Sequence, residues 1–159
     1  MTSTALNDGV LNANKIVIGS STGILVNTAK FAYETYSEPD IGDGVVYDTP
    51  VTISYTPLYT TSILLIEACV SCRFIAAIGM RTGLKRDGTM IGNNWNSCLN
   101  FHYKSDAVNH HNDFPMHTVV AANSTTATTF TAWIQPYGGI GEYFSGLGDN
   151  WIQVWEFQA

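Results

Sequence analysis

The amino-acid sequence predicts an all-β protein, an antiparallel jelly-roll β-sandwich with an extended N-terminal arm. Three observations carry this. Only 13% of the 159 residues are charged while 12% are aromatic, against about 25% charged in an ordinary soluble domain. Thr, Ser, Asn and Gly fill much of the remainder, which suits short strands joined by Gly/Asn turns. The apolar residues alternate in short runs between turn signals, and no stretch sustains a helical period or a heptad.

Residues 1–30 read as an arm ordered by contact with a neighbour, and 31–159 as the sandwich. Within the arm, Ile16-Val17-Ile18 and Ile24-Leu25-Val26 flank Gly19-Ser20-Ser21-Thr22-Gly23, a hairpin pattern in which the glycines supply the turn. The polar stretch before it holds too little apolar material to fold alone.

From Lys30 to Tyr36 the chain alternates, then loops through Glu38 to Gly44. Val51 to Thr56 alternates again and stops at Pro57, which cannot donate to a ladder. Ile63 to Ser71 is apolar at nearly every position and predicts a central strand covered on both faces, with Leu65 in its core. Phe74 to Thr82 reads as the next strand, and Lys85-Arg86-Asp87-Gly88-Thr89 as a tight turn. Ser97–Tyr103, Met116–Ala122, Thr128–Gln135 and Trp151–Gln158 follow. In the last strand Trp151, Gln153, Trp155 and Phe157 share one face, and Ile152, Val154 and Glu156 the other. A sandwich of this kind has edge strands to cover, and trimerisation is one way to cover them.

Charge and hydropathy narrow the function. The net charge is −6, and the one basic cluster, Lys85-Arg86, is followed at once by Asp87; neither suits phosphate contacts, so no nucleic-acid partner is expected. The longest apolar runs, Ile63–Ile66 and Phe74–Met80, fall short of the roughly 18 residues of a spanning helix, so no membrane partner is expected. The N-terminus lacks the basic and apolar regions of a signal peptide. Three cysteines, an odd number without a secretion signal, argue against a disulfide framework.

Chemistry-bearing motifs are few. Cys69-Val70-Ser71-Cys72 has CxxC spacing, but on a strand the two thiols point to opposite faces, so they read as buried structural cysteines. His110-His111-Asn112-Asp113 reads as a polar loop, one that could hold a metal if three copies met on a threefold axis. Asp40, Asp43 and Asp48 do not match a calcium loop and read as solvated charge. Asn123-Ser124-Thr125 fits the glycosylation pattern but is discounted as a site. Nucleophile elbows, P-loops and dinucleotide fingerprints are absent, so no catalytic residue, metal or cofactor is expected.

Four segments carry a resemblance. Val51-Thr52-Ile53-Ser54-Tyr55-Thr56-Pro57 leads into Ser62-Ile63-Leu64-Leu65-Ile66-Glu67; Lys85-Arg86-Asp87-Gly88-Thr89-Met90-Ile91-Gly92 forms a hairpin; Ala127-Thr128-Thr129-Phe130 opens a strand; Ile152-Gln153-Val154-Trp155-Glu156-Phe157 closes the chain. In this order, over roughly residues 45–159, they resemble a family of tailed-phage virion surface proteins that includes capsid decoration or cement proteins and tail-fibre tip domains. The resemblance implies a jelly roll of the tumour-necrosis-factor and C1q type, usually a homotrimer, at the virion surface after synthesis in the host cytoplasm; it does not imply catalytic residues.

Two functions follow as expectations. In the first, a trimeric cement protein clamps the major capsid protein through its arm, with Lys15, Ile16, Ile18, Ile24 and Val26 as attachment residues. In the second, a head among tail or fibre proteins recognises a host-surface glycan or protein through loops carrying Asn93, Asn94, Trp95, His110 and His111. A complete tail fibre carries a long shaft, and the roughly 30 residues before the sandwich favour the first.

Overall fold

A computed structural model describes residues 15–18, 21–32, 39–75, 79–92, 98–103, 110–143 and 150–158, with the backbone alone at 15–18, 21–24 and 110. It forms strands β1 (Lys15–Ile18), β2 (Ser21–Ala32), β3 (Asp40–Ile41), β4 (Tyr47–Tyr55), β5 (Ile63–Phe74), β6 (Gly79–Arg86), β7 (Thr89–Ile91), β8 (Asn100–Tyr103), β9 (His110–Ala121), β10 (Thr128–Tyr137), β11 (Gly141–Tyr143) and β12 (Trp151–Gln158).

The strands make two antiparallel sheets. In sheet A, β12 lies between β2 and β5, and β9 covers the other side of β5. Strand β1 pairs with β2; β11 and β3 extend the sheet beside the last residues of β5. Sheet B runs β4–β10–β6, with β7 and β8 sharing the far side of β6. The chain passes from β4 in sheet B to β5 in sheet A and back to β6, and again from β9 to β10 and β12. That alternation is jelly-roll connectivity, as the sequence predicted.

Local chemistry explains the elements. Asp87 and Gly88 both take positive φ, 49° and 79°, the backbone of a two-residue hairpin loop, and β6 and β7 close around them. Pro50 lies inside β4 where the pairing to β10 shifts between Thr131 and Trp133. Among the described strands β4 pairs only with β10, so the missing N–H is tolerated at an edge and a bulge. Thr49 Oγ1 donates to Ala132 O there at 2.8 Å.

The core lies between the sheets. Leu64, Ile66, Val70 and Phe74 of β5 meet Val51 and Ile53 of β4, Leu84 of β6 and Phe130 and Ile134 of β10. The His102 ring sits 5.6 Å from Phe74 and edge-on to Phe114 at 6.1 Å.

Several boundaries differ from the sequence reading. The hairpin closes at Ile18↔Ser21, so Gly23 belongs to β2 and not to the turn. Strand β2 pairs with β12 from Ile24 to Ala32, so the division expected at residue 30 falls inside a strand. The strand read over Phe74–Thr82 is two: β5 ends sheet A's contribution at Phe74, and β6 starts sheet B at Gly79. His110–Asp113 is strand, not loop, because it pairs with Ser71–Phe74 of the long β5. Leu65 is half-buried on the outer face of sheet A, while its neighbours Leu64 and Ile66 are fully buried.

The two faces of β5 therefore separate in stability. Leu64→Ala should cost about 2–5 kcal/mol through lost transfer and cavity formation. Leu65→Ala should lose clearly less in the same denaturant titration followed by tryptophan fluorescence. Equal losses would reverse the assignment of the faces.

Candidate functional site

Glu156 is a charged residue in phase with Ile152 and Val154, so β12 carries its carboxylate into the core, fully buried. Burial without partners would be costly for a charge. Here the Tyr55 hydroxyl donates to Oε2 at 2.7 Å, the Leu58 N–H reaches both oxygens at 2.8 and 3.0 Å, and the Tyr59 N–H reaches Oε1 at 3.2 Å. Burial alone would raise the carboxyl's pKa, but the surrounding donors outweigh it and hold it below its ordinary value. The same contact acts oppositely on Tyr55, where burial and then the Glu156 carboxylate raise the phenol. The β4–β5 loop is thus anchored to the C-terminal strand. Ala122 N–H to Ser62 O at 2.9 Å and Asn123 N–H to Thr60 O at 3.1 Å tie the same loop to the β9–β10 connection.

Arg86 and Asp87 hold that connection from the other sheet. The Arg86 guanidinium donates to Ala121 O at 2.8 Å, Ala122 O at 2.6 Å and Thr128 Oγ1 at 3.2 Å. Asp87 accepts from Thr128 Oγ1 at 2.6 Å and Thr129 N–H at 2.8 Å, bonds that lower its pKa. The Arg-Asp-Gly stretch is a structural clamp.

The outward faces of the sheets carry different chemistry. On sheet A, Val119, Leu65, Trp155 and Thr28 lie in one cross-strand row, and His117, Glu67, Gln153 and Lys30 in the next. Trp155 Nε1 donates to Glu67 Oε2 at 2.8 Å, Lys30 sits over the Trp151 ring at 5.0 Å, and Val119 is 50% exposed. On sheet B, Tyr103, Gly79 and Tyr137 form one row, and Phe101, Arg81 and Gln135 the next. All three rings are exposed.

The residues singled out from sequence are dispersed. Lys15, Ile16 and Ile18 lie on β1 and Ile24 and Val26 on β2, with Lys15 opposite Ile24; Val26 is half-buried where the β2–β12 register shifts. His111 is exposed on β9 opposite Arg73, and His110 pairs with Phe74. Asn93, Asn94 and Trp95 lie outside the described residues. Cys69 faces outward and Cys72 inward, both buried, and burial pushes the Cys72 thiol well up, the opposite of a reactive thiolate. Asp43 caps the Gly138 N–H at 2.7 Å and Asp48 meets Lys85, so these two acidic residues serve separate contacts. Among the described residues no group of three or more His, Cys, Asp or Glu is placed to hold a metal. Sequence reasoning missed Glu156 and the sheet B rings. The signal for Glu156 was its place on the apolar face of β12; the rings gave none, because β8 and β10 are distant in sequence.

No family model matches the chain, and no curated protein matches it. Among solved structures it is similar to the structure of the infectious bursal disease virus Gx strain, at 11% identity and a TM-score of 0.35, over 92% of this chain and 43% of that one. It is similar also to the infectious bursal disease virus VP2 subviral particle, at 11% identity and a TM-score of 0.39, over 90% of this chain and 42% of that one. The chain spans less than half the length of either.

The anchored carboxylate sets an acid limit. Because folding lowers its pKa, the stability it contributes is complete above the ordinary value of 4.5 and is lost as pH falls through the lower folded value. Glu156→Gln should cost about 1.5–3 kcal/mol at neutral pH, the worth of hydrogen bonds to a charged group. The gap between variant and native protein should close as pH falls below 4.5, read by thermal melts across pH. A gap independent of pH would mean that the charge on Glu156 contributes nothing.

Proposed function

We propose that this chain is a non-enzymatic structural protein at the surface of a virus particle, a homotrimeric decoration or cement protein on the shell of a tailed phage. The observation that carries the reading is the outer face of sheet A. A jelly roll that folds around one core still directs Trp151, Trp155, Leu65 and Val119 outward, a surface suited to a neighbouring subunit whose interface core is poor in charge. Three copies related by a threefold axis close such a contact into a ring. The acidic net charge fits a scaffold better than a nucleic-acid binder.

In this reading the N-terminal segment reaches the major capsid protein, with Lys15, Ile16 and Ile18 of β1 leading and Ile24 and Val26 on the adjoining strand. Since β2 also pairs with β12, the part before it leads the attachment and the β2 residues only adjoin it. The alternative is a receptor-binding head among tail or fibre proteins, recognising a host-surface glycan or protein; one observation favours it, the exposed rings of sheet B.

Light scattering should return three times the 17.3 kDa chain, and Val119→Arg, at an exposed position, should reduce it to the monomer mass without loss of the thermal transition. A trimer untouched by that charge would move the interface elsewhere. Protein lacking residues 1–20 keeps β2 and should fold and trimerise, yet fail to decorate shells; wild-type occupancy by this variant would end the cement reading.

A further inference from the structure

We infer that the outer face of sheet B at β8, β6 and β10 is a saccharide-binding platform, with Tyr103, Phe101 and Tyr137 stacking on a pyranose ring. The inference deepens the receptor-binding alternative and rests on it only for its biological use. The geometry begins with Gly79. Tyr103 and Tyr137 flank it on the two neighbouring strands, so their backbones stand two strand spacings apart, about 10 Å. Gly79 has no side chain to rise between them. The Phe101 ring takes that space instead: a Cβ at Gly79 would lie 3.1 Å from two of its carbons. The result is a shallow trough with an aromatic floor and a tyrosine on either side.

The Phe101 and Tyr137 rings are held in place before any ligand arrives. The Arg81 guanidinium lies 5.9 Å from the Phe101 centroid and 5.3 Å from that of Tyr137, within cation–π range of both. Its Nη1 donates to Gln135 Oε1 at 3.3 Å, and Gln135 Nε2 donates to Gly44 O at 2.8 Å. Arg81 is 8% exposed, so it positions the rings and does not itself cover the trough. Rings fixed in this way give up little entropy on binding.

The size and chemistry of the patch select the occupant. Tyr103, Tyr137 and Phe101 are 61%, 45% and 40% exposed, which amounts to roughly 300 Å² of ring surface at about 200 Å² per side chain. A stable protein partner needs about 800 Å² on each side. A sugar needs far less: its C–H face stacks on the Phe101 and tyrosine rings, and its hydroxyls exchange hydrogen bonds with the two phenols.

The test is a screen of the intact protein on arrays of microbial and animal glycans, followed by titration calorimetry and saturation-transfer NMR with the retained saccharide. Saturation of the aromatic protons should pass to the C–H face of one sugar ring. Tyr103→Ala and Tyr137→Ala should each weaken binding at least tenfold with oligomer mass and thermal transition unchanged, and Gly79→Ala should fill the trough with the same effect on affinity. Absence of any retained saccharide would overturn the inference, as would unaltered affinity in the Tyr103→Ala/Tyr137→Ala protein. Loss of the oligomer in that double variant would also overturn it, by assigning the rings to a subunit contact. Particles carrying the double variant that adsorb normally, while the isolated protein loses its saccharide, leave the platform standing and remove only its use as a receptor site.

Discussion

The fold turns on one buried carboxylate. Strand β12 lies between β2 and β5, and its apolar face ends in Glu156, a charge that cannot be left in the core unpaired. The donors that satisfy it come from Tyr55 and from successive N–H groups of the β4–β5 loop. Since β4 belongs to sheet B and β12 to sheet A, the carboxylate links the sheets at the point where the chain crosses between them. The loop also bonds the β9–β10 connection, which Arg86 and Asp87 grip from sheet B. One end of the sandwich is therefore closed by polar contacts and its middle by apolar ones.

That closure leaves the outward faces free to differ. Sheet A directs tryptophan, leucine and valine outward across its central strands, with polar groups satisfied among themselves, as in the Trp155–Glu67 bond. Sheet B has glycines on β6 where side chains would otherwise stand, and aromatic rings fall into the space. A broad face of mixed apolar character suits a subunit contact; a narrow ring-lined trough suits a small ligand. The two proposed uses do not compete, because they lie on opposite sides of the core.

Local pattern carries the elements whose causes are local. The Asp87-Gly88 turn follows from residues that tolerate positive φ. The bounds of β12 follow from alternation bracketed by turn residues, and the opposed thiols of Cys69 and Cys72 follow from the period of a strand. Alternation failed where a strand is apolar on both faces: β5 gave no sign that Leu65 faces outward and Leu64 inward, since apolar residues on the outer face remove the contrast that alternation reads. It failed also at His110–Asp113, whose polar residues lie in a strand because the long β5 extends that far and supplies the ladder.

By itself the sequence determined an all-β antiparallel chain, most of its strand positions, the burial of its cysteines and the side of β12 on which Glu156 lies. Only the tertiary structure decided which strands pair, how far the N-terminal segment joins the sandwich, what receives the Glu156 charge and which rings gather over Gly79. The reason is separation along the chain. Tyr55 and Glu156 are 101 positions apart, and Phe101, Gly79 and Tyr137 meet only because β6 lies between β8 and β10. No periodicity within a strand encodes its neighbour; that choice is made by the packing of the whole core.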